Sequence, residues 1–101
     1  MVKKINAEQF ANEAKKSAVA VVDFSATWCG PCRMLAPTIA KIAEEQEGKI
    51  KVCKVDVDEC PRLAAKFGIS SIPTLMVFED GYVKASTVGV QPKSQIERLF
   101  A

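Results

Sequence analysis

Histidine does not occur anywhere in this chain of 101 residues. Its absence removes Ser-His and Cys-His nucleophile pairs, and imidazole metal ligation with them. No basic cluster with interleaved aromatics appears, and a net charge of +2 is too weak to point to nucleic acid or to a membrane surface. No apolar stretch approaches membrane-spanning length. Lys3 and Lys4 are followed by Asn6, Glu8 and Gln9, so the N-terminus lacks the apolar core of a secretory signal. Repeats, low-complexity tracts and linkers are missing too. The expectation is one soluble domain over residues 1–101, cytoplasmic, with its thiols resting reduced.

What is present starts with an ordinary globular composition. At 49% hydrophobic and 26% charged, the chain can bury one modest core without a disulfide staple. Asn6 with Gln9 three residues on reads as a helix start, and Phe10, Ala11 and Ala14 recur at helical spacing up to about Lys16. Val19 to Phe24 is a short apolar run, as in a strand covered on both faces. Leu35, Ile39, Ile42 and Ala43 form a helical stripe ending near Glu47, with Pro37 inside it as an expected kink. Lys49 to Val57 reads as a second strand. Asp58 is expected to cap a short helix carrying Leu63, Ala64 and Phe67, closed by Gly68. Thr74 to Phe78 is a third strand, Asp80-Gly81 a hairpin turn, and Tyr82 to Val88 the returning strand. Pro92 can open a last helix with Ile96, Leu99 and Phe100 on one face. Strand-helix-strand units demand parallel pairing with right-handed crossovers, and the hairpin adds an antiparallel edge. The fold class is layered α/β.

Four cysteines are the only strong nucleophiles or soft ligands. Two of them stand in Trp28-Cys29-Gly30-Pro31-Cys32, between an apolar run and a helical pattern. Helical side chains three apart have Cβ atoms about 5–6 Å apart, close to the about 3.8 Å of a disulfide. Bonded and open states are both accessible there. Unpaired amides at a helix N-terminus favour an anion, so Cys29 is the expected thiolate and attacking sulfur. Gly30 is expected to permit an unusual backbone conformation, and Pro31 to fix φ where its missing N–H does no harm. As a staple the pair is poor: loop entropy gives about 2 kcal/mol for four residues against about 3 for fifteen. A zinc knuckle is the competing reading, but Cys53 and Cys60 do not form a second close pair.

At these residues the chain resembles the thioredoxin family, whose active-site motif Trp28 to Cys32 matches letter for letter. Asp23, Lys54, Pro37, Ile72-Pro73-Thr74 and Gly89 fall at the family's buried aspartate, strand lysine, helix kink, cis-proline loop and binding-surface glycine. The resemblance covers essentially the whole chain. It implies a thioredoxin fold: a mixed five-stranded sheet flanked by four helices in three layers, with a first strand near Val2 to Ile5. It also implies thiol-disulfide oxidoreductase activity, reducing disulfide-containing target proteins as a monomer recharged by a thioredoxin reductase. No cofactor is implied beyond the redox-active pair Cys29 and Cys32. Ser25 departs from the many members that carry tryptophan there. Histidine-bearing oxidants and isomerases of the family are the alternative, as is a subunit used for its fold alone.

Roles follow, each beside its plainer alternative. Cys29 attacks the target disulfide and Cys32 resolves the mixed disulfide. Asp23 is either a buried carboxylate exchanging a proton with Cys32 or a strand-end side chain facing solvent. Lys54 is its counter-charge or a plain surface lysine. Trp28 supplies contact surface or packs in the core. The Ile72–Pro73 bond is trans by base rate and cis by resemblance; a cis bond sets the Ile72 backbone beside Cys29, where a target segment can pair. Gly30, Pro31 and Gly89 complete the expected substrate surface. Cys53 is expected buried, Cys60 partly exposed and open to a regulatory role, with no bridge between them.

Overall fold

A computed structural model describes all residues from Met1 to Ala101. Five strands form one sheet: β1 (Lys3–Lys4), β2 (Val19–Ser25), β3 (Lys51–Asp56), β4 (Thr74–Glu79) and β5 (Tyr82–Val88). Their order is β1-β3-β2-β4-β5. β3 pairs parallel with β1 and β2, while β4 runs antiparallel to both β2 and β5. The helices are α1 (Ala7–Phe10), α2 (Gly30–Glu45), α3 (Pro61–Lys66) and α4 (Lys93–Phe100).

Strand periodicity divides the core in two. Ala20, Val22 and Phe24 of β2 face α1 and α3, packing with Phe10, Ala14, Leu63 and Phe78. Phe67 fills the same side, its ring centroid 5.3 Å from Phe10 and 5.4 Å from Phe78. The alternate residues face α2 and α4. On that side Leu35, Ile39, Ile42 and Ala43 of α2 and Ile96 of α4 cover Val52 and Leu75. Register places Asp23 beside Leu75 and Lys54, and Ser25 beside Asp56. Asp23 and Ser25 therefore share the α2 face, at the C-terminal end of the central strand.

Several expectations change in detail. Asn6 caps α1 by accepting the Gln9 amide at 2.9 Å, and the Gln9 side chain accepts the Asn6 amide in return. Beyond Phe10 the helix widens into a π-helical segment, Ala11–Lys15. Five residues are too few for that wider turn to alter the apolar spacing. Glu13 of this segment ties Lys3 and Lys51 across the strand ends. Asp58 does not cap α3. Cys60 takes the cap position without a side-chain hydrogen bond, and Asp56 accepts the amides of Asp58 and Glu59 at 2.8 and 3.3 Å. Cys60 is buried, contrary to the expectation of partial exposure; it packs in the α1/α3 core with Cys53, and both thiols are free. Pro92 lies just before α4 as its cap. β1 is only two residues long, both exposed, and so leaves no apolar signature.

Leu35 is fully buried at the centre of the α2 face. Leu35→Ala is expected to destabilise the protein by about 2–5 kcal/mol, through lost transfer energy plus the cavity left behind. Urea unfolding followed by circular dichroism reads this directly.

Candidate functional site

β2 ends at Ser25 and the chain turns through Ala26-Thr27-Trp28 into α2. Cys29 stands at the cap position with an extended backbone, φ −84° and ψ 114°. Its sulfur accepts the Cys32 amide at 3.2 Å. A cap position needs an acceptor for the first helical amides, and here sulfur fills the place usually taken by oxygen. Cys29 and Cys32 are joined as a disulfide, their Cα atoms 5.2 Å apart. Both side chains are buried with Ala26, against Val57 and Ile72.

Gly30 is an ordinary first helical residue. Positive φ occurs at Gly48, Gly68, Gly81 and Gly89 but not here, which corrects the expectation of an unusual conformation. A Cβ at Gly30 would meet nothing within 4 Å, so the space before the disulfide is open. Pro31 follows in the first turn, exposed. Arg33 donates its guanidinium to the Thr27 carbonyl at 2.9 Å and braces the loop.

The opposite wall is the segment before β4. The Ile72–Pro73 bond is cis, and the Ile72 carbonyl lies 3.9 Å from the Cys29 sulfur. The Gly89 amide donates to the Pro73 carbonyl at 2.8 Å, which ties the end of β5 to this wall. Gly89 has φ +90°, a conformation that disfavours other residues. Val88 and Val90 on either side of it are exposed, and Trp28 is 66% exposed. Trp28 is therefore no core aromatic. Its indole N–H donates to the Asp58 carboxylate at 2.6 Å, which fixes the ring at the rim. Sequence reasoning missed this partner: the two residues lie thirty apart, and Asp58 reads locally as a helix cap.

Beneath the site, Asp23 is 2% exposed and its Oδ1 has no hydrogen-bond partner. Burial pushes its carboxyl up from 3.8 to about 6, with the charge of Lys54 opposing the rise. The solvent-facing reading of Asp23 is thus excluded. Lys54, half-buried on β3, acts on it as a charge through space. Burial also pushes the Cys53 thiol up to about 11, which leaves it an inert core residue. A cavity of about 500 Å³ lies at the other end of the sheet, among Met1, Lys3, Val19 and Lys51, away from the cysteines.

The family model described as Thioredoxin matches residues 1–101. The chain belongs to the thioredoxin family. A staphylococcal thioredoxin (Staphylococcus aureus) is 49% identical over 85 residues, covering 84% of this chain and 82% of that protein. A wheat protein named thioredoxin M-type, chloroplastic (Triticum aestivum), is 51% identical over 76 residues, which is 75% of this chain and 43% of the wheat protein. The fold is the mixed five-stranded thioredoxin sheet with four helices, and the chain is a thiol-disulfide oxidoreductase. Thioredoxins in general carry a redox-active disulfide and no further cofactor.

The buried carboxyl has a measurable consequence. A folded-state value of about 6 against 3.8 means that the folded protein binds this proton more tightly than the unfolded chain. Stability contributed by the protonated form is present below about 3.8 and is lost as pH rises through about 6. At about 1.4 kcal/mol per pH unit the difference approaches about 3 kcal/mol. Asp23→Asn is expected to stabilise the protein by up to that amount at pH 8, with the gain vanishing near pH 4. Denaturant unfolding of both proteins at the two pH values checks it; an equal gain at both would contradict the assignment.

Proposed function

We propose that the chain reduces disulfides of other proteins, with Cys29 as nucleophile and Cys32 as resolving thiol. One observation carries this reading: the Cys29 sulfur sits at the N-terminus of α2 and accepts a backbone amide. The same amide and the helix dipole favour the thiolate once the disulfide is opened.

In the reduced protein the Cys29 thiolate attacks one sulfur of the target disulfide. A Cys29–target bond forms, and the other target sulfur leaves as thiolate and takes up a proton. Cys32 gives its proton to the Asp23 carboxylate, and its thiolate then attacks the Cys29 sulfur. The Cys29–Cys32 bond forms, the mixed disulfide breaks, and the second target sulfur leaves as a thiolate that takes the proton back from Asp23 and departs as a thiol. Two electrons pass from the cysteine pair to the target. A carboxyl near 6 is suited to accept and return a proton at neutral pH, and Lys54 moderates its charge.

The target docks on the surface formed by Trp28, Gly30, Pro31, Ile72, Pro73 and Gly89. It lies extended along the Ile72 backbone, where strand-like pairing supplies affinity. A shallow, partly apolar rim suits a protein segment better than a small molecule. A thioredoxin reductase returns the electrons, and no nucleic acid or membrane takes part. The protein works in the cytoplasm as a monomer of one thioredoxin domain, since a single chain already covers both faces of its sheet.

Reduction of insulin disulfides, fuelled by dithiothreitol, tests the reading. Wild type is expected to catalyse it, Cys29→Ser to abolish it, and Cys32→Ser to accumulate the mixed disulfide, visible by mass spectrometry. Full activity in both serine variants would refute it.

A further inference from the structure

The turn from Asp56 to Cys60 carries β3 into α3 beside the disulfide. Val57 packs against the cluster of Ala26, Cys29 and Cys32, and Asp58 accepts the Trp28 indole N–H at 2.6 Å. Two neighbouring residues of one turn thus touch the buried sulfurs and the exposed aromatic at the rim. The amides of this turn can all be accounted for. Val57 donates to the Ser25 carbonyl and Cys60 to the Asp56 carbonyl, each at 2.9 Å. Asp58 and Glu59 donate to no carbonyl. Both donate instead to Oδ1 of Asp56, at 2.8 and 3.3 Å.

Asp56 is 7% exposed, and a carboxylate is costly to bury unless hydrogen bonds or charges compensate it. No lysine or arginine pairs with it directly. Lys4 bonds to Glu59 at 3.0 Å and meets the charge of Asp56 only through space. The two amides are therefore its direct partners, and hydrogen bonds to a charged acceptor are the stronger kind. Asp58 and Glu59 lie exposed, so water could satisfy their amides if Asp56 were replaced. What the carboxylate adds is a fixed course for the turn. Trp28, at 66% exposed, has little packing to orient it, so its ring stands where Asp58 holds it.

We propose that Asp56 is a positioning residue for target docking. Through the Asp58 and Glu59 amides it sets Asp58 against the Trp28 indole, and the rim is formed before a target arrives. This rests on the reading of the rim at Trp28 as the docking surface. A rim already in place spares the complex the entropy of ordering it, which strengthens binding. The sulfurs are placed by α2, whose stripe is anchored on the sheet, so the chemical steps do not depend on the turn. Loss of the Asp56 carboxylate therefore weakens docking and leaves the exchange of disulfides intact.

The chain has one tryptophan, so its indole N–H gives a single nitrogen-15 NMR signal. Asp58→Ala marks the position of that signal without the hydrogen bond. Asp56→Ala is expected to move it at least about halfway to that position, and Asp56→Asn, which keeps the oxygen acceptor, to leave it near the wild-type value. In insulin reduction Asp56→Ala should raise KM by about three- to tenfold with kcat unchanged, the mark of binding lost equally before and during the chemistry. It should add little in an Asp58→Ala background. A folded Asp56→Ala protein whose indole signal stays at the wild-type position overturns the proposal. So does a fall in kcat with KM unmoved. Should Asp56→Ala not fold, Asp56→Glu keeps the charge, carries the acceptor one methylene outward, and is held to the same outcomes. The indole signal reports on Asp56 whether or not the protein reduces disulfides, so failure here is separable from failure of the insulin assay.

Discussion

The contact between the Cys32 amide and the Cys29 sulfur is the constraint on which the site depends. It exists because α2 begins at Gly30 with a sulfur in its cap position. That geometry in turn requires the central strand to stop at Ser25 and the loop to turn within four residues. The α2 stripe holds the helix against the sheet, and the buried aliphatic core beneath Leu35 and Ile39 fixes where its first amides point. Packing some distance from the cysteines therefore determines the electrostatics at the sulfur.

Asp23 shows the opposing influence. A carboxylate buried toward the C-terminal end of the central strand, its Oδ1 without a partner, is a destabilising element in an otherwise consistent core. The sheet tolerates it because five strands and two helical layers provide stability from elsewhere. Lys54 softens the penalty without removing it. The local conflict between burial and charge is the kind of violation expected where chemistry is done.

The order and type of elements could be read from periodicity, capping signals and turn residues. The Asn6–Gln9 box, the α2 stripe and the Asp80-Gly81 turn are local in sequence and correspondingly legible. The motif and the helix that begins within it were legible for the same reason. What escaped was non-local or too short. β1 is two exposed lysines held by pairing to β3, and nothing in Lys3-Lys4 marks a strand. The π-helical turn hides within ordinary helical spacing. Asp58 has the appearance of a helix cap until the fold brings Trp28 to it. Cys60 precedes a proline and looks exposed, yet α3 packs it inward. The side of β2 on which Asp23 lies, and Ser25 with it, followed only once the register to β3 and β4 was fixed.

The link from the Gly89 amide to the Pro73 carbonyl joins two stretches of chain that leave the sheet separately. Together with the indole anchored by Asp58, it makes the mouth of the disulfide a fixed mould. Under the proposed function, a guest held there through its own amides and carbonyls would be recognised by the course of its main chain, whatever residues it bears. Such a mould would select for an exposed, straightened cystine over any particular sequence, and one small protein could then serve many unrelated clients.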